Sequence, residues 1–289
     1  MNSTKNPVQQ TLTQSPPPLK NSGMKIFCPI DFSEASLNAL RYAVQFGKSI
    51  NAQIIEISHC FTESTDLKHL VVDEESGEDA IQHRLLKLER SYVEEYGVKM
   101  GSSLFKGHPL DIIPPYLKQM KHDLVIVGTK GLTAVRDLTV GSFTEDLIFS
   151  IPTPIMVIPH HYVFEQMSNI VLAIDDHLFS SSGVLRPLID LRKNASSTLH
   201  IVHVRKPEEE PIDYLHNLDE YLDHTDYNFY SIPVHDSVSD TLDQFCEEHA
   251  ADILCMVHRD RGWMINIFHR SKVKEKLFHL KAPLLVLQG

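Results

Sequence analysis

Residues 123–148 read "DLVIVGTKGLTAVRDLTVGSFTEDLI", and this stretch decides how the whole chain is interpreted. The apolar run 124–127 is typical of a buried β-strand, and Gly128 follows it directly. Gly131 comes three residues later, and Gly141 comes ten residues after that. Because glycine lets the backbone adopt positive φ and approach a ligand closely, these three positions predict either a tight turn or a loop that wraps a ligand.

A helix is predicted directly after the third glycine. Phe143 and Leu147 keep helical spacing there, and Ser142 and Thr144 place hydroxyl groups in the first turn. The free N–H groups and the positive dipole end of a helix N-terminus attract phosphate. However, Ser142 followed three residues later by Glu145 is also a capping box, which would begin the helix without any ligand. Local chemistry therefore leaves both interpretations open.

Composition limits the classes of partner. The chain has 289 residues, which suggests about two domains. It carries 27 Lys and Arg against 38 Asp and Glu, a net charge of −11. This balance argues against general binding to nucleic acid or to anionic membranes, which favour a basic surface. No apolar run approaches the roughly 20 residues of a membrane span, so we expect no membrane partner.

The cysteines and the N-terminal segment indicate the compartment. Four cysteines without Cys-x-x-Cys spacing are too few for a disulfide framework in a chain of this length, so we expect a cytoplasmic protein. Residues 1–23 are polar and rich in proline, and they contain no apolar stretch of the kind that secretion signals carry. We expect them to form a disordered N-terminal extension.

The chain repeats itself. "KIFCPID" at 25–31 has the same form as "NIVLAID" at 169–175. Residues 123–158 also align without a gap with residues 252–287, at an offset of 129, and carry the same apolar pattern. A match of this length indicates a duplication.

The duplication predicts two domains, 24–160 and 161–289. Within each copy, short β-branched apolar runs alternate with stretches of helical spacing. Such alternation is typical of an α/β domain with a parallel sheet and right-handed crossovers. In these sheets ligands bind beyond the carboxyl ends of the strands, where the strand order reverses.

The flanks of the glycines resemble the universal stress protein family. "CPIDFSEAS" at 28–36 is similar to the opening strand and Asp-containing turn of that family, and "FKGHPLDII" at 105–113 resembles the segment before its fourth strand. "PTPIMVI" at 152–158 follows the glycines as it does in the family. The resemblance covers about 24–287 as a tandem pair. It implies two Rossmann-like domains, each with a five-stranded parallel sheet in the order 3-2-1-4-5 and helices on both faces.

The resemblance also implies a nucleotide site, because one branch of the family holds ATP with these loops. Pro29 and Asp31 would lie near the adenine and the ribose, and Cys60 stands where the family has an aliphatic residue near the base. The implied contacts to the ribose and phosphates are Val127, Gly128, Lys130, Gly131, Gly141, Ser142, Phe143 and Thr144. Mg²⁺ would accompany the phosphates of ATP rather than occupy a site of the protein's own.

One stretch departs from the family pattern. Pro114 and Pro115 stand where the family has a helix. Because a proline in a helix interior costs about 3 kcal/mol, we expect that helix to be broken or shifted.

Three functions remain open after this reading. The first is a regulatory stress-response protein that binds ATP in its N-terminal domain. We do not expect an efficient enzyme, because Asp31 is the only carboxylate that the sequence places near the loop, although slow ATP hydrolysis stays open. The alternative is a nucleotide-free scaffold or partner-binding protein. An adenylate-transferring enzyme is a third class, but "PIDFSEAS" lacks the basic or Ser/Gly loop motifs that it would need.

The second copy has lost the three glycines. The offset of 129 places Val257, Asp260 and Arg270 on the three glycine positions, and only Ser142 of this motif is kept, as Ser271. Since the strand and helix patterns are kept, this loss predicts one nucleotide per chain, bound in the first domain. The basic residues around Arg270 indicate either a solvated loop or a docking site for an anion or an acidic segment of an unidentified protein partner.

Two strongly apolar segments, 154–158 and 283–287, would each be the last strand of a domain. In the family that the chain resembles, two domains often pair through their last strands. Since a lone apolar edge strand also promotes aggregation, we predict that these two strands cover each other. Further pairing of two chains into a homodimer is compatible with this arrangement.

Overall fold

The structure is a computed structural model, and it describes residues 23–62, 77–129, 142–175, 179, 181–206, 208, 215–259 and 281–289. The predicted N-terminal extension therefore lies almost wholly outside the described residues. Within them, no helix combines the length and the apolar character needed to cross a lipid bilayer.

The first half alternates strands and helices, as the sequence predicts. Its elements are β1 (Lys25–Pro29), α1 (Glu34–Ser49), β2 (Ile54–Phe61), α2 (Glu78–Tyr96), β3 (Met100–Lys106), α3 (Pro109–Met120), β4 (Leu124–Gly128), α4 (Ser142–Ser150) and β5 (Ile155–Ile158). Ser33 begins α1 as its N-cap, because its hydroxyl accepts a hydrogen bond from the N–H of Ser36 at 3.2 Å.

The second half repeats the pattern with one change. Its elements are β6 (Asn169–Ile174), a 3-10 turn (Ser182–Leu185), α5 (Arg186–Ala195), β7 (Thr198–Arg205), α6 (Leu215–Tyr221), β8 (Asn228–Pro233), α7 (Val238–Glu248), β9 (Ile253–His258) and β10 (Leu284–Gln288). The offset of 144 between Asp31 and Asp175 would start its first helix at 178, but α5 begins only at Arg186. The start of α1 therefore has no direct α-helical counterpart among the described residues of the second half.

All ten strands form one sheet, in the order β3-β2-β1-β4-β5-β10-β9-β6-β7-β8. Each half is parallel and has the predicted order 3-2-1-4-5, so the predicted fold class is confirmed. The two final strands pair antiparallel, with Met156 opposite Leu285 and Ile155 opposite Val286. As a result, the strands of the two halves run in opposite directions, and their carboxyl ends point to opposite sides of the molecule.

The core lies on both faces of the sheet. One face packs mainly against α1, α2 and α5, and the other packs against α3, α4 and α7. The four residues of β5 and the apolar residues 284–287 of β10 are at most 1% exposed. Burying an aliphatic side chain of this size contributes about 1.5–3 kcal/mol, so the seam between the halves belongs to the core.

The expectation that prolines would break or shift a helix is wrong. The helix α3 runs through Pro114 and Pro115 without interruption. Its inner face is held by Ile113 and Leu117, each 1% exposed. Pro115 and Asp111, the residue whose carbonyl would otherwise accept a helical bond from position 115, are both exposed. Burial of the inner face thus offsets the lost hydrogen bonds, and an exposed carbonyl can bond to water instead.

Candidate functional site

A cavity of about 510 Å³ opens at the carboxyl edge of the first half, between β1 and β4. The strand order reverses at this point, which is where open parallel sheets bind ligands. Seven of the residues predicted from the sequence line this one cavity: Pro29, Asp31, Cys60, Val127, Gly128, Phe143 and Thr144.

The remaining predicted residues have no described position in the cavity. Lys130, Gly131 and Gly141 lie outside the described residues, and Ser142 is described only as the first residue of α4. In the second half, the positions from 260 to 280, with Asp260, Arg270 and Ser271, also lie outside the described parts of the chain.

Gly128 has a packing role of its own. A Cβ atom at this position would lie 2.5 Å from the carbonyl oxygen of Ala35, in the first turn of α1. Real Cβ atoms do not approach backbone oxygen so closely, so only glycine lets α1 lie this near to the end of β4. The glycine shapes the cavity wall whether or not a ligand is bound.

The turn after β1 presents a carboxylate to the cavity. The N–H of Ser33 donates to Oδ1 of Asp31 at 2.9 Å, and the hydroxyl of Ser36 accepts from the N–H of Asp31 at 3.3 Å. Partial desolvation acts to raise the pKa of the Asp31 carboxyl, but the hydrogen bonds from Ser33 and Ser36 prevail and lower it. Asp31 therefore carries a negative charge at neutral pH.

Phe32 holds this turn in an uncommon conformation. Its φ is 61°, in the left-handed region that disfavours a residue with a bulky side chain. Its ring lies 4.9 Å from the ring of His59 and 4.2 Å from the guanidinium carbon of Arg84. These contacts on β2 and α2 compensate for the backbone strain and orient the residues on either side of Phe32.

The first turn of α4 forms another wall of the cavity. Phe143, Thr144 and Asp146 all line it. The hydroxyl of Thr144 donates to the carbonyl oxygen of Gly128 at 3.2 Å, which ties the helix to the end of β4. Since the first N–H groups of a helix have no partner within the helix, this turn can offer donors to an anion.

Several polar lining residues were missed by the sequence reasoning, among them Ser58, His108 and Asp146. They come from β2, from the residue before α3 and from α4; the proximity of Asp146 to Ser142 and the place of His108 in the quoted segment 105–113 were the available signals. Asp31 and Asp146 are carboxylates, and no Lys or Arg stands among the described residues that line the cavity. The described lining residues therefore supply no positive charge of their own for a polyphosphate.

In the second half, the corresponding corner holds an ion pair. Arg259 stands at the position of Lys130, and Asp175 stands at that of Asp31. Nη1 of Arg259 lies 2.6 Å from Oδ1 of Asp175, and the two side chains are 15% and 14% exposed. The guanidinium also lies 5.1 Å from the ring of Phe179. The chain's own residues thus supply the charge pairing at this corner.

Metal ligands do not cluster in the described segments. No group of three or more His, Cys, Asp or Glu residues among them has the geometry to hold a metal ion.

Sequence comparisons point to one family. Residues 24–159 match the model of the universal stress protein family. Two universal stress proteins of Methanocaldococcus jannaschii are similar to this chain. One is 27% identical over 147 residues, covering 48% of this chain and 84% of the relative; the other is 26% identical over 152 residues, covering 46% and 93%.

Solved structures extend the likeness of fold to both halves. A universal stress protein from Archaeoglobus fulgidus DSM 4304 superposes with a TM-score of 0.70 at 17% identity, covering 91% of this chain and 98% of that chain. A functionally unknown protein from Pseudomonas aeruginosa PAO1 gives a TM-score of 0.58 at 12% identity, covering 93% of each chain. Residues 24–159 therefore form a domain of the universal stress protein family.

Proposed function

We propose that this chain is a regulatory protein of the stress response that binds ATP in the cavity of its first half. The observation that carries the proposal is the convergence of the predicted nucleotide contacts. Seven residues from β1, β2, β4 and α4, with the turn after β1, line one cavity of about 510 Å³ at the reversal of strand order. This volume is within the range typical of small-molecule sites.

The chemistry of the walls suggests an orientation for ATP. Pro29 and Cys60 offer an apolar surface for the base, since burial raises the pKa of the Cys60 thiol to about 11 and keeps it neutral. The Asp31 carboxylate can accept hydrogen bonds from ribose hydroxyls. The first turn of α4 can donate to phosphate oxygens. Mg²⁺ on the phosphates would offset the repulsion from Asp31 and Asp146.

Efficient hydrolysis is not part of the proposal. The titratable groups among the described lining residues are Asp31, Cys60, His108 and Asp146. The pKa of Asp31 is lowered and that of Cys60 is raised, so neither group is suited to accept a proton from water near neutral pH. Slow turnover through the other two groups is compatible with a regulatory role.

We further propose one nucleotide per chain. Val257 adds a branched side chain at the position of Gly128, and the Arg259–Asp175 pair already satisfies the charged groups of the second corner. A phosphate there would have to compete with a half-buried carboxylate for the guanidinium.

Calorimetric titration of the full chain with ATP and Mg²⁺ tests these statements. We expect a stoichiometry near one, and adenine nucleotide released from denatured protein should be detectable by mass spectrometry. Gly141→Arg, which gives the first half the residue that the second half carries, should weaken binding at least about tenfold, or about 1.4 kcal/mol. Gly183→Arg, at an exposed glycine of the second half, is the matched control and should bind normally. Two sites per chain, or normal binding by Gly141→Arg, would contradict the proposal.

The second candidate is a scaffold that does not use nucleotide. Two observations favour it: Gly128 has a packing role without any ligand, and the described lining residues include no Lys or Arg. This candidate gains support if no nucleotide is released and ATP with Mg²⁺ does not raise the temperature of unfolding.

We also propose a cytoplasmic location. All four cysteines are free, and two of them, Cys28 and Cys255, are fully buried. Free thiols of this kind fit a reducing compartment. Homodimer formation remains a prediction that analytical ultracentrifugation can check.

A further inference from the structure

One buried hydroxyl in the cavity wall has no partner. Ser58 lies on β2 and is 1% exposed, and it lines the cavity. Its Oγ neither donates nor accepts a hydrogen bond among the described residues. Because a buried polar group without a partner is unfavourable, native structures rarely retain one without a reason.

Strand geometry directs this hydroxyl toward the cavity side of the sheet. Side chains alternate between the faces of a strand, so Glu56, Ser58 and Cys60 share a face of β2. Cys60 lines the same cavity, whereas Ile55 and Ile57 pack in the core on the opposite face. The Ser58 hydroxyl thus lies on the ligand side, at the inner part of β2.

The polar groups nearest to Ser58 on this face are paired with each other, although Nδ1 of His122 is buried without a hydrogen-bond partner among the described residues. Ser103, the register partner of Ser58 on β3, donates to Oε1 of Glu56 at 2.7 Å. Nε2 of His122 lies 2.9 Å from the other oxygen of that carboxylate. On the other side, the register partner of Ser58 is Pro29, which has no N–H. The hydroxyl of Ser103 and the carboxylate of Glu56 have partners within the protein, whereas the hydroxyl of Ser58 is available to hydrogen-bond with another molecule.

We propose that Ser58 is a specificity-determining residue, which hydrogen-bonds to the polar substituent at position 6 of a purine base. This inference rests on the nucleotide site proposed above. If the ribose lies at Asp31 and the phosphates lie at α4, the edge of the base remote from the ribose reaches toward β2. That edge carries the 6-amino group of adenine. A hydroxyl can accept from an amino group, and a ligand without a polar substituent there leaves Ser58 unpaired.

The test combines a change in the protein with a change in the ligand. Wild type, Ser58→Ala and Ser231→Ala are titrated with ATP and with purine riboside triphosphate, which lacks the 6-amino group. Ser231 on β8 is the matched control, because its hydroxyl is also buried without a partner among the described residues but lies in the second half. We expect wild type and Ser231→Ala to prefer ATP about tenfold, in line with one hydrogen bond.

For Ser58→Ala, affinity for ATP should fall about tenfold, while affinity for the analogue stays unchanged, so that the preference disappears. The ligand-free variant should unfold at the temperature of wild type or above it, since the deleted hydroxyl made no hydrogen bond. This measurement separates a loss of recognition from a loss of folding.

Two results overturn the role of Ser58 alone. One is a Ser58→Ala variant that keeps the wild-type preference for ATP. The other is an equal loss of affinity for both ligands, which would mean that the hydroxyl acts on the shape of the cavity. If wild type binds neither ligand, the nucleotide site itself fails and the role of Ser58 fails with it, a pattern distinct from the first two.

Discussion

Gly128 lies at the meeting point of β4, α1 and the cavity, and its lack of a side chain is what lets these three come together. The carbonyl of Ala35 occupies the space that a Cβ atom would need. The second half has Val257 at this position, and there α5 begins only at Arg186, after a 3-10 turn. A Cβ atom at the strand end would conflict with a helix placed as α1 is, and the later start of α5 is consistent with the valine at this position.

Gly128→Ala should therefore lower the free energy of unfolding by about 1–3 kcal/mol, the usual cost of forcing an atom into a packed region. Gly101→Ala on β3 is the control, since a Cβ there would meet only Cδ1 of Ile54, at 3.7 Å. Urea denaturation of both variants measures the difference. Equal stability of the two would mean that the Ala35–Gly128 contact does not constrain the fold.

His200 predicts a dependence of stability on pH. Burial, and then the nearby imidazole of His249, lower the pKa of His200 below its ordinary value of 6.5. As pH falls below about 6.5, the unfolded chain therefore binds more protons at this group than the folded chain does. The group then lowers the free energy of unfolding in acid and has no effect on it well above that pH.

The expected result is a free energy of unfolding that falls between pH 7 and pH 5, with a smaller fall in His200→Gln. Gln119→Ala, a non-titrating control at an exposed position of α3, should keep the wild-type slope. Denaturation curves across this range make the comparison. A His200→Gln variant with the full slope would assign the effect to other groups.

At the scale of elements, the same capping device starts one helix in each half, but only one of these caps lies in the cavity. The hydroxyl of Ser33 accepts from the N–H of Ser36 at the start of α1, and that of Ser237 accepts from the N–H of Asp240 at the start of α7. Ser33 also lines the cavity and donates its N–H to Asp31.

Ser33→Ala and Ser237→Ala should each cost about 1 kcal/mol of stability, the typical value of an N-cap. Under the proposed function, only Ser33→Ala should also weaken ATP binding, because the turn that presents Asp31 loses one of its supports. Thermal unfolding and calorimetric titration of both variants separate the two effects. Equal affinity in the two variants would place the α1 turn outside the ligand site.

At the scale of the whole molecule, the seam between the halves is a pair of buried strands. Met156 and Leu285 face each other across it and are at most 1% exposed. Further contacts cross the seam at α4, where Nε2 of Gln288 donates to the carbonyl oxygen of Ile148 at 3.1 Å and the ring of Phe149 lies 4.8 Å from that of His258.

Because the sheet and its core are continuous across this seam, the full chain should unfold in one calorimetric transition. Leu285→Ala should destabilise the whole transition by about 2–5 kcal/mol, as large-to-small changes in a core do. Lys193→Ala, on the exposed face of α5, provides a control that should change stability little. Two separate transitions in the wild type would show that the halves fold as independent units.

Several features of this protein follow from its sequence alone. The strands β1, β2, β4 and β5 and the helices α1 and α2 are marked by apolar runs and helical spacing, which report local burial directly. The ungapped match revealed the duplication, and together with the resemblance to a family it predicted the pairing of 154–158 with 283–287, which also covers two apolar edge strands. The order of strands came from the resemblance to a family rather than from periodicity.

Other features were decided only by tertiary structure. The helix α3 persists through Pro114 and Pro115, because packing of its inner face outweighs the helix-breaking tendency of proline. Ser58, His108 and Asp146 meet at the cavity although they are far apart in sequence and carry no shared motif. Their meeting depends on which strands are neighbours and on which face each side chain lies. A sequence records the period of burial along each element, but the distances between elements are fixed only when all of them pack together.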